Sequence, residues 1–382
     1  MGPALSGELS RLFLSWLGGD RGALDGIFCL AGDAVVAQTG VDYHSIPVRF
    51  ATNHHAFEPL MAEHFGSFRS LVSPPTANII HLHVREPLLP VAAMDACPAA
   101  VANVKFPAFG PEAQLRTLPL AGGWLLVEDS GTLIVVDEDG GRSLLVTIEG
   151  ENLAVGALRV RQGTIRFASR LSEEALLLAV LQEFLAGFHA TLVHAACVER
   201  DGRGVLIMAP ERRGKSTTTL SLVRAGWKML SDDRTLLRRD AGRLALHSFP
   251  ERSRIGARSV AFFPELTGHV SMPVGDGKAE FTPEEVWGDI RSSMASPTLL
   301  VIPEVVHEPL SFAERVRPLG GIDDASELVA DNLLRTAPSA TIERFSLLCE
   351  LFSSVPMIRL RVGPGVEQTA DQVDRLVKEY GS

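Results

Sequence analysis

The sequence predicts an α/β fold in which a phosphate-loop domain follows a mixed α/β amino-terminal domain, with the boundary near residue 165. Three observations predict this. An apolar run, Val205–Met208, meets a loop ending in Gly214-Lys215-Ser216-Thr217, and an amphipathic segment then runs to Ala225. After Gly226 a second short apolar run ends at the acid pair Asp232-Asp233. The first 165 residues instead hold short apolar runs broken by Pro and Gly, several of them alternating as strands do.

In chain order, the spacing predicts a short helix over Glu8–Trp16. Further on, Trp124–Val127, Thr132–Val136 and Ser143–Ile148 read as strands of a meander, separated by turns at Asp129-Ser-Gly and Glu138-Asp-Gly-Gly. This half carries His44, His54, His55, His64, His81 and His83. His81 and His83 face one side of a presumed strand in a pattern that can ligate a metal. With no third ligand at a suggestive spacing, no chemistry is assigned to them.

Ser172–Ala190 reads as a helix: Ser172 stands at the cap, Glu173 and Glu174 fill the first turn, and an apolar repeat follows. The chain then re-enters an apolar strand, Leu192–Val198, turns at Glu199-Arg-Asp-Gly202 and enters the strand before the loop. Two antiparallel strands joined by a polar turn put His194 on the sheet beside the loop. It is either a satisfied core histidine or an active-site group.

The loop sets the chemistry. Ala209-x-x-x-x-Gly214-Lys215-Ser216 fits the phosphate-loop pattern, with Ala209 in place of the usual first glycine. Successive backbone N–H groups and a helix N-terminus form an anion cradle. Lys215 adds a charge for the β- and γ-phosphates, and the Ser216 hydroxyl suits Mg²⁺. The bland alternative is a turn that caps the helix, with Ser216 as the cap and Lys215 solvated. A Cβ at Ala209 crowds a tight turn, but Ala is the smallest substitute for Gly and fits wherever φ stays negative. Asp232 lies seventeen residues after Lys215, at the carboxyl end of the next presumed strand, where α/β sheets bind ligands.

Composition narrows the partners. The chain has 382 residues, enough for two or three domains, and 46% hydrophobic content, enough for sizeable cores. Its mean hydropathy is +0.16. The longest apolar stretch, Ala175–Leu185, contains Gln182 and Glu183, so no segment is long enough to span a bilayer. Glu8 argues against a signal peptide and Pro3 against lipidation at Gly2, so the expected location is the cytoplasm. Cys29, Cys97, Cys197 and Cys349 lie far apart, which suggests neither a disulfide framework nor a zinc site. A net charge of −10 with no basic run argues against nucleic acid as a partner.

His194-Ala-Ala, the strand–turn–strand, the GKST loop and Leu230-Ser-Asp-Asp233, in that order, resemble the catalytic core of the HPr kinase/phosphorylase family. The chain is more similar still to that family's diverged relatives, HPr-kinase-like serine kinases found beside peptide-modification genes, among them kinases of lasso-peptide precursors. The resemblance continues through Phe249–Ile255, Phe263–Glu265, Lys278–Pro283, Leu299–Pro303 and Pro356–Gly363, covering Leu171 to about Leu376.

The resemblance implies a fold of the HPr kinase/PEP carboxykinase type and a set of roles. The loop, Ala209, Arg212, Arg213, Gly214, Lys215, Ser216 and Thr217, would bind ATP, and Ser216, with Asp233 or Glu251, would hold Mg²⁺. Asp232 would orient and deprotonate the acceptor hydroxyl, and protonated His194 would balance its charge. The chain departs from the family at Ala209, at Thr217 where an acid is usual, and in carrying Arg212 and Arg213. Glu251-Arg-Ser-Arg254 echoes the phosphorylase signature only loosely.

The function expected is transfer of the γ-phosphoryl of ATP to a Ser or Thr hydroxyl of a protein or small ribosomal precursor peptide. Residues 1–165 are expected to select the acceptor. A small-molecule kinase and a nucleotide-gated peptide-binding module are the alternatives, and homo-oligomerisation is left open. Asp232 favours transfer, because a binder needs no carboxylate at the acceptor position.

Overall fold

The computed structural model describes residues 3–32, 37–52, 79–82, 103–105, 114–128, 132–137, 142–147, 158–161, 164–167, 181–182, 185–209, 213–249, 253–271, 278–306, 316–319, 325–333, 338–363 and 366–380. These form two compact units, one of residues 1–188 with 333–342, the other of residues 189–332 with 343–382. Both mix helix and sheet.

The first unit opens with helices α1 (Pro3–Leu17) and α2 (Arg21–Gly32), which pack as a pair. α1 extends the expected Glu8–Trp16 helix at both ends. Its buried Trp16 donates from Nε1 to the Ala121 carbonyl at 3.0 Å, pinning the pair to a turn of the sheet. That sheet contains β1 (Ala37–Asp42), β2 (Pro47–Thr52), β3 (Ile79–Leu82), β4 (Asn103–Lys105), β5 (Gln114–Leu120), β6 (Gly123–Glu128), β7 (Thr132–Asp137) and β8 (Arg142–Thr147). Its order is β1-β2-β3-β8-β7-β6-β5-β4. The expected meander is β6-β7-β8, antiparallel throughout. His81 lies on β3, paired with Ala51 and Leu144, while His83 lies outside the described residues. β9 (Leu158–Arg161) and β10 (Thr164–Phe167) form a separate ribbon. Of the expected Ser172–Ala190 helix, residues 181–182 and 185–186 are helical, the chain turns over 187–189, and the Ser172 cap lies outside the described residues.

The second unit is built on a nine-stranded mixed sheet. Its strands are β11 (Ala190–Val193), β12 (Ala196–Arg200), β13 (Arg203–Ile207), β14 (Lys228–Ser231), β15 (Thr235–Asp240), β16 (Arg243–His247), β19 (Met294–Val305), β20 (Val316–Pro318) and β21 (Met357–Val362). β17 (Ser253–Gly256) and β18 (Lys278–Phe281) form a hairpin of their own. The helices are α3 (Lys215–Arg224), α4 (Ala257–Val260), α5 (Pro283–Trp287), α6 (Ser326–Asn332), α7 (Pro338–Ser354) and α8 (Val366–Tyr380). Pro338–Ile342 of α7 belongs to the first unit.

β12 turns through Asp201-Gly202 into β13, as expected, with Gly202 at φ 75°. β12 also pairs antiparallel with β14, so β13 and β14 run parallel with β12 between them. This arrangement positions the site. The carboxyl ends of β13 and β14 reach one edge of the sheet, and the antiparallel strand between them begins at that same edge.

The expected single strand Leu192–Val198 is two strands. β11 pairs with β15 and β12 pairs with β13 and β14, and the chain breaks at His194-Ala195 to change partners. An unbroken apolar run hides this, because both halves are buried and need no polar interruption.

α3 and α8 cover one face. Leu222 and Val223 of α3 pack with Ala370, Val373, Leu376 and Val377 of α8 over Val205, Ile207, Ala196 and Val198. The α8 spacing is that of a helix burying one stripe. Leu220 of α3 faces elsewhere and joins Ile255, Phe263, Leu266, Ala279 and Phe281 beneath the β17–β18 hairpin. Two ion pairs fix α3 at its carboxyl end. Arg200 bonds Asp374 through Nη1 at 2.7 and 2.9 Å, donates to the carbonyl of Ala225, which caps α3, and lies over Trp227. Arg224 bonds Glu265 and stacks on Phe263, tying α3 to the segment beside the hairpin. Among the described residues no helix is long and apolar enough to cross a membrane.

Candidate active site

Gly214 is the turn into α3. Its φ of 97° is strained for any residue with a Cβ, and an added Cβ would lie 3.1 Å from Val305 Cγ2. Its carbonyl accepts the Thr218 amide at 2.9 Å, so the helix starts directly at Lys215. The hydroxyls of Thr219 and Ser221 bond back to the carbonyls of Lys215 and Thr217 at 2.9 and 2.8 Å, which lets polar side chains lie inside a buried helix. Thr217 Oγ1 bonds Ser259 at 3.2 Å. Ala209 is buried just past β13, and Arg213 is exposed. Arg212 and Glu251 lie outside the described residues.

Lys215, Asp233 and His194 come together on one oxygen. Lys215 Nζ pairs with Asp233 Oδ1, and His194 Nε2 is 3.1 Å from the same atom. The lysine side chain is only 11% exposed, so it is not the solvated lysine of the bland alternative, whereas Asp233 stays 41% exposed. Burial works to raise the Asp233 carboxyl, but the Lys215 ammonium, followed by His194, outweighs it and holds the group well below the usual carboxylate range. His194 therefore serves Asp233, not Asp232 as expected.

Asp232 sits in a different environment. It is 5% exposed, its Oδ2 accepts the Arg254 amide at 3.0 Å, and its Oδ1 is buried with no hydrogen-bond partner among the described residues. Burial is the main force raising its carboxyl to about 6, Asp233 adds to it, and the Arg254 amide, Lys215 and Arg291 oppose it. Adjacent carboxylates thus differ, one kept ionised by two partners and one buried with its charge poorly compensated. This is the separation acid–base chemistry uses.

Residues distant in sequence build the rest. The Asp232 loop is braced by Ser231 Oγ, 2.6 Å from Thr235 Oγ1, which donates to Ala195 O at 2.8 Å. Arg291 is gripped by Glu284 at 2.5 and 3.1 Å, which aims its charge. Asn332 receives the His194 amide. Nothing local in the sequence distinguishes Glu284, Arg291 or Asn332, and Arg254 stands out only within the loose Glu251-Arg-Ser-Arg254 echo, since each acts through an atom brought near by the fold. No group of three or more His, Cys, Asp or Glu able to hold a metal occurs among the described residues.

Residues 170–274 match a protein family described as SynChlorMet cassette protein ScmC. No curated protein matches the chain. Among solved structures, the HPr(Ser) kinase/phosphatase from Coxiella burnetii is 18% identical over 50% of this chain and 93% of its own, with a TM-score of 0.28. The likeness in shape is loose.

Proposed function

We propose that this chain is an ATP-dependent kinase that transfers the γ-phosphoryl group to a Ser or Thr hydroxyl of a protein or of a ribosomal precursor peptide of the lasso-peptide kind. The observation that supports this most is the meeting, at the start of α3, of a paired Lys215–Asp233 and a buried Asp232 with one oxygen unpartnered among the described residues.

The amides at the start of α3 and the Lys215 ammonium bind the β- and γ-phosphate oxygens. Lys215 is already held near that position by Asp233, so little side-chain entropy is lost when phosphate arrives. The Asp232 carboxylate takes the proton of the acceptor hydroxyl as its oxygen attacks phosphorus, and the γ-phosphoryl leaves ADP. The Arg254 amide orients that carboxyl, and His194 keeps Asp233 turned toward the phosphate side.

Asp233 and the Ser216 hydroxyl fit Mg²⁺, a hard cation that is commonly held by one or two carboxylates together with substrate phosphates. Glu251 completes the proposed set. When bound, the ion supplies neutralisation of the charge on the transferring group. We assign acceptor selection to residues 1–165, whose strands suit docking of an extended peptide by edge pairing.

A base must be deprotonated to act, so kcat/KM rises with pH through about 6, the value to which Asp232 is raised, and reaches a plateau above it. The test is transfer of labelled γ-phosphate to Ser/Thr peptides across pH 4.5–8. A rate flat through that range excludes Asp232 as the base.

A further inference from the structure

β11 and β12 have different strand partners, so the two residues between them, His194 and Ala195, are held by bonds outside the ladders. The Ala195 amide bonds the Val193 carbonyl at 2.8 Å, and its own carbonyl accepts Thr235 Oγ1 at 2.8 Å. The His194 amide donates to Asn332 Oδ1 at 2.5 Å, across 138 residues of sequence. Asn332 is 3% exposed and ends α6. Its Nδ2 donates to the Leu328 carbonyl at 2.8 Å, which fixes the orientation of the amide and leaves Oδ1 for His194.

Burying a primary amide is unfavourable unless its hydrogen bonds are made, and asparagine is a poor helix former. A leucine of similar size would suit this helix end, beside the buried Leu328 and Val329. What leucine lacks is the acceptor that holds the His194 backbone. His194 in turn places Nε2 3.1 Å from the Asp233 oxygen that Lys215 also grips.

We infer that Asn332 is a positioning residue of the phosphoryl-transfer site, setting the backbone of His194 so that its imidazole holds the Asp233 carboxylate in register with Lys215. The inference rests on the function proposed above, and its chain of action is Asn332 to His194 to Asp233.

The test is a double-mutant cycle on the full chain with Asn332→Leu and His194→Ala. Asn332→Leu is expected to lower kcat by about 10²-fold, the scale of a misplaced catalytic group, with nucleotide KM within twofold of wild type. On the His194→Ala background the same change is expected to cost little, because its route is already cut. An equal loss on both backgrounds, or kcat and KM worsening together, makes Asn332 an ordinary structural residue and overturns the inference.

Hydrogen exchange at the His194 amide decides the matter independently of catalysis. It is expected to be slow in wild type and fast in Asn332→Leu, with β13 and β14 unchanged. If the wild-type chain transfers no phosphate, the kinase reading fails while this measurement still tests the Asn332–His194 link. Unchanged exchange at His194 overturns the link. If Asn332→Leu does not fold, Asn332→Ser, whose shorter hydroxyl falls short of the His194 amide, takes its place with the same expected outcomes.

Discussion

Asp232→Asn is expected to lower turnover by about 10²–10⁴-fold, the loss of general-base help, while nucleotide affinity stays near wild type. The amide keeps the shape and the acceptor for the Arg254 N–H but takes no proton. Stability should move the other way. Folding raises this carboxyl from 3.8 to about 6. Its ionisation therefore costs nothing below pH 3.8, costs more as pH rises toward 6, and costs the full amount above 6. The rise from 3.8 to about 6 corresponds to on the order of 3 kcal/mol at pH 7, relieved in the asparagine variant. Calorimetric binding, peptide phosphorylation by mass spectrometry and thermal unfolding at pH 4 and pH 7 check the three parts. If Asp232→Asn retains full activity and Asp233→Asn loses it, the roles of the two acids are reversed.

Lys215→Ala is expected to lower transfer by about 10²–10³-fold or more, on the scale of removing one preorganised electrostatic stabiliser worth about 3–4 kcal/mol. The structure adds a consequence that a solvated lysine would not have. Without Lys215, Asp233 loses its strongest favourable charge and keeps His194 and the weaker influence of Arg234 against the charge of Asp232. Because Asp233 is partly exposed, a loss of about 1–2 kcal/mol of stability is expected, smaller than for a fully buried pair. Urea unfolding beside the transfer assay separates the two effects. Near-wild-type turnover by a folded variant removes the phosphate-loop assignment.

The local grammar of the site was legible in the sequence. An apolar run, a glycine before lysine and an amphipathic segment give β13, the turn and α3, and the next run ending in two acids gives β14 and the Asp232-Asp233 loop. The β12–β13 hairpin and the β6-β7-β8 meander also follow from alternation and turn residues. What could not be read is long-range. That β12 lies between β13 and β14 is set by hydrogen bonds between strands, and the His194 amide at the break bonds Asn332, 138 residues away. Asp232 and Asp233 look alike as a dipeptide. They part only because one is buried against the Arg254 amide and the other meets Lys215 and His194. The partner of Lys215 could not be read from its own loop, because that partner, Asp233, arrives from the end of β14.

The central claim is transfer of a phosphoryl group to a side-chain hydroxyl, and the most direct measurement is to find where the phosphate goes. The intact chain is incubated with γ-labelled ATP, Mg²⁺ and the peptides encoded beside its gene, and the products are mapped by mass spectrometry. The account predicts phosphoserine or phosphothreonine on one of those peptides, formed with ADP and lost in Asp232→Asn. Nucleotide-dependent peptide binding with no phosphate on any acceptor would contradict it and identify a nucleotide-gated binding module.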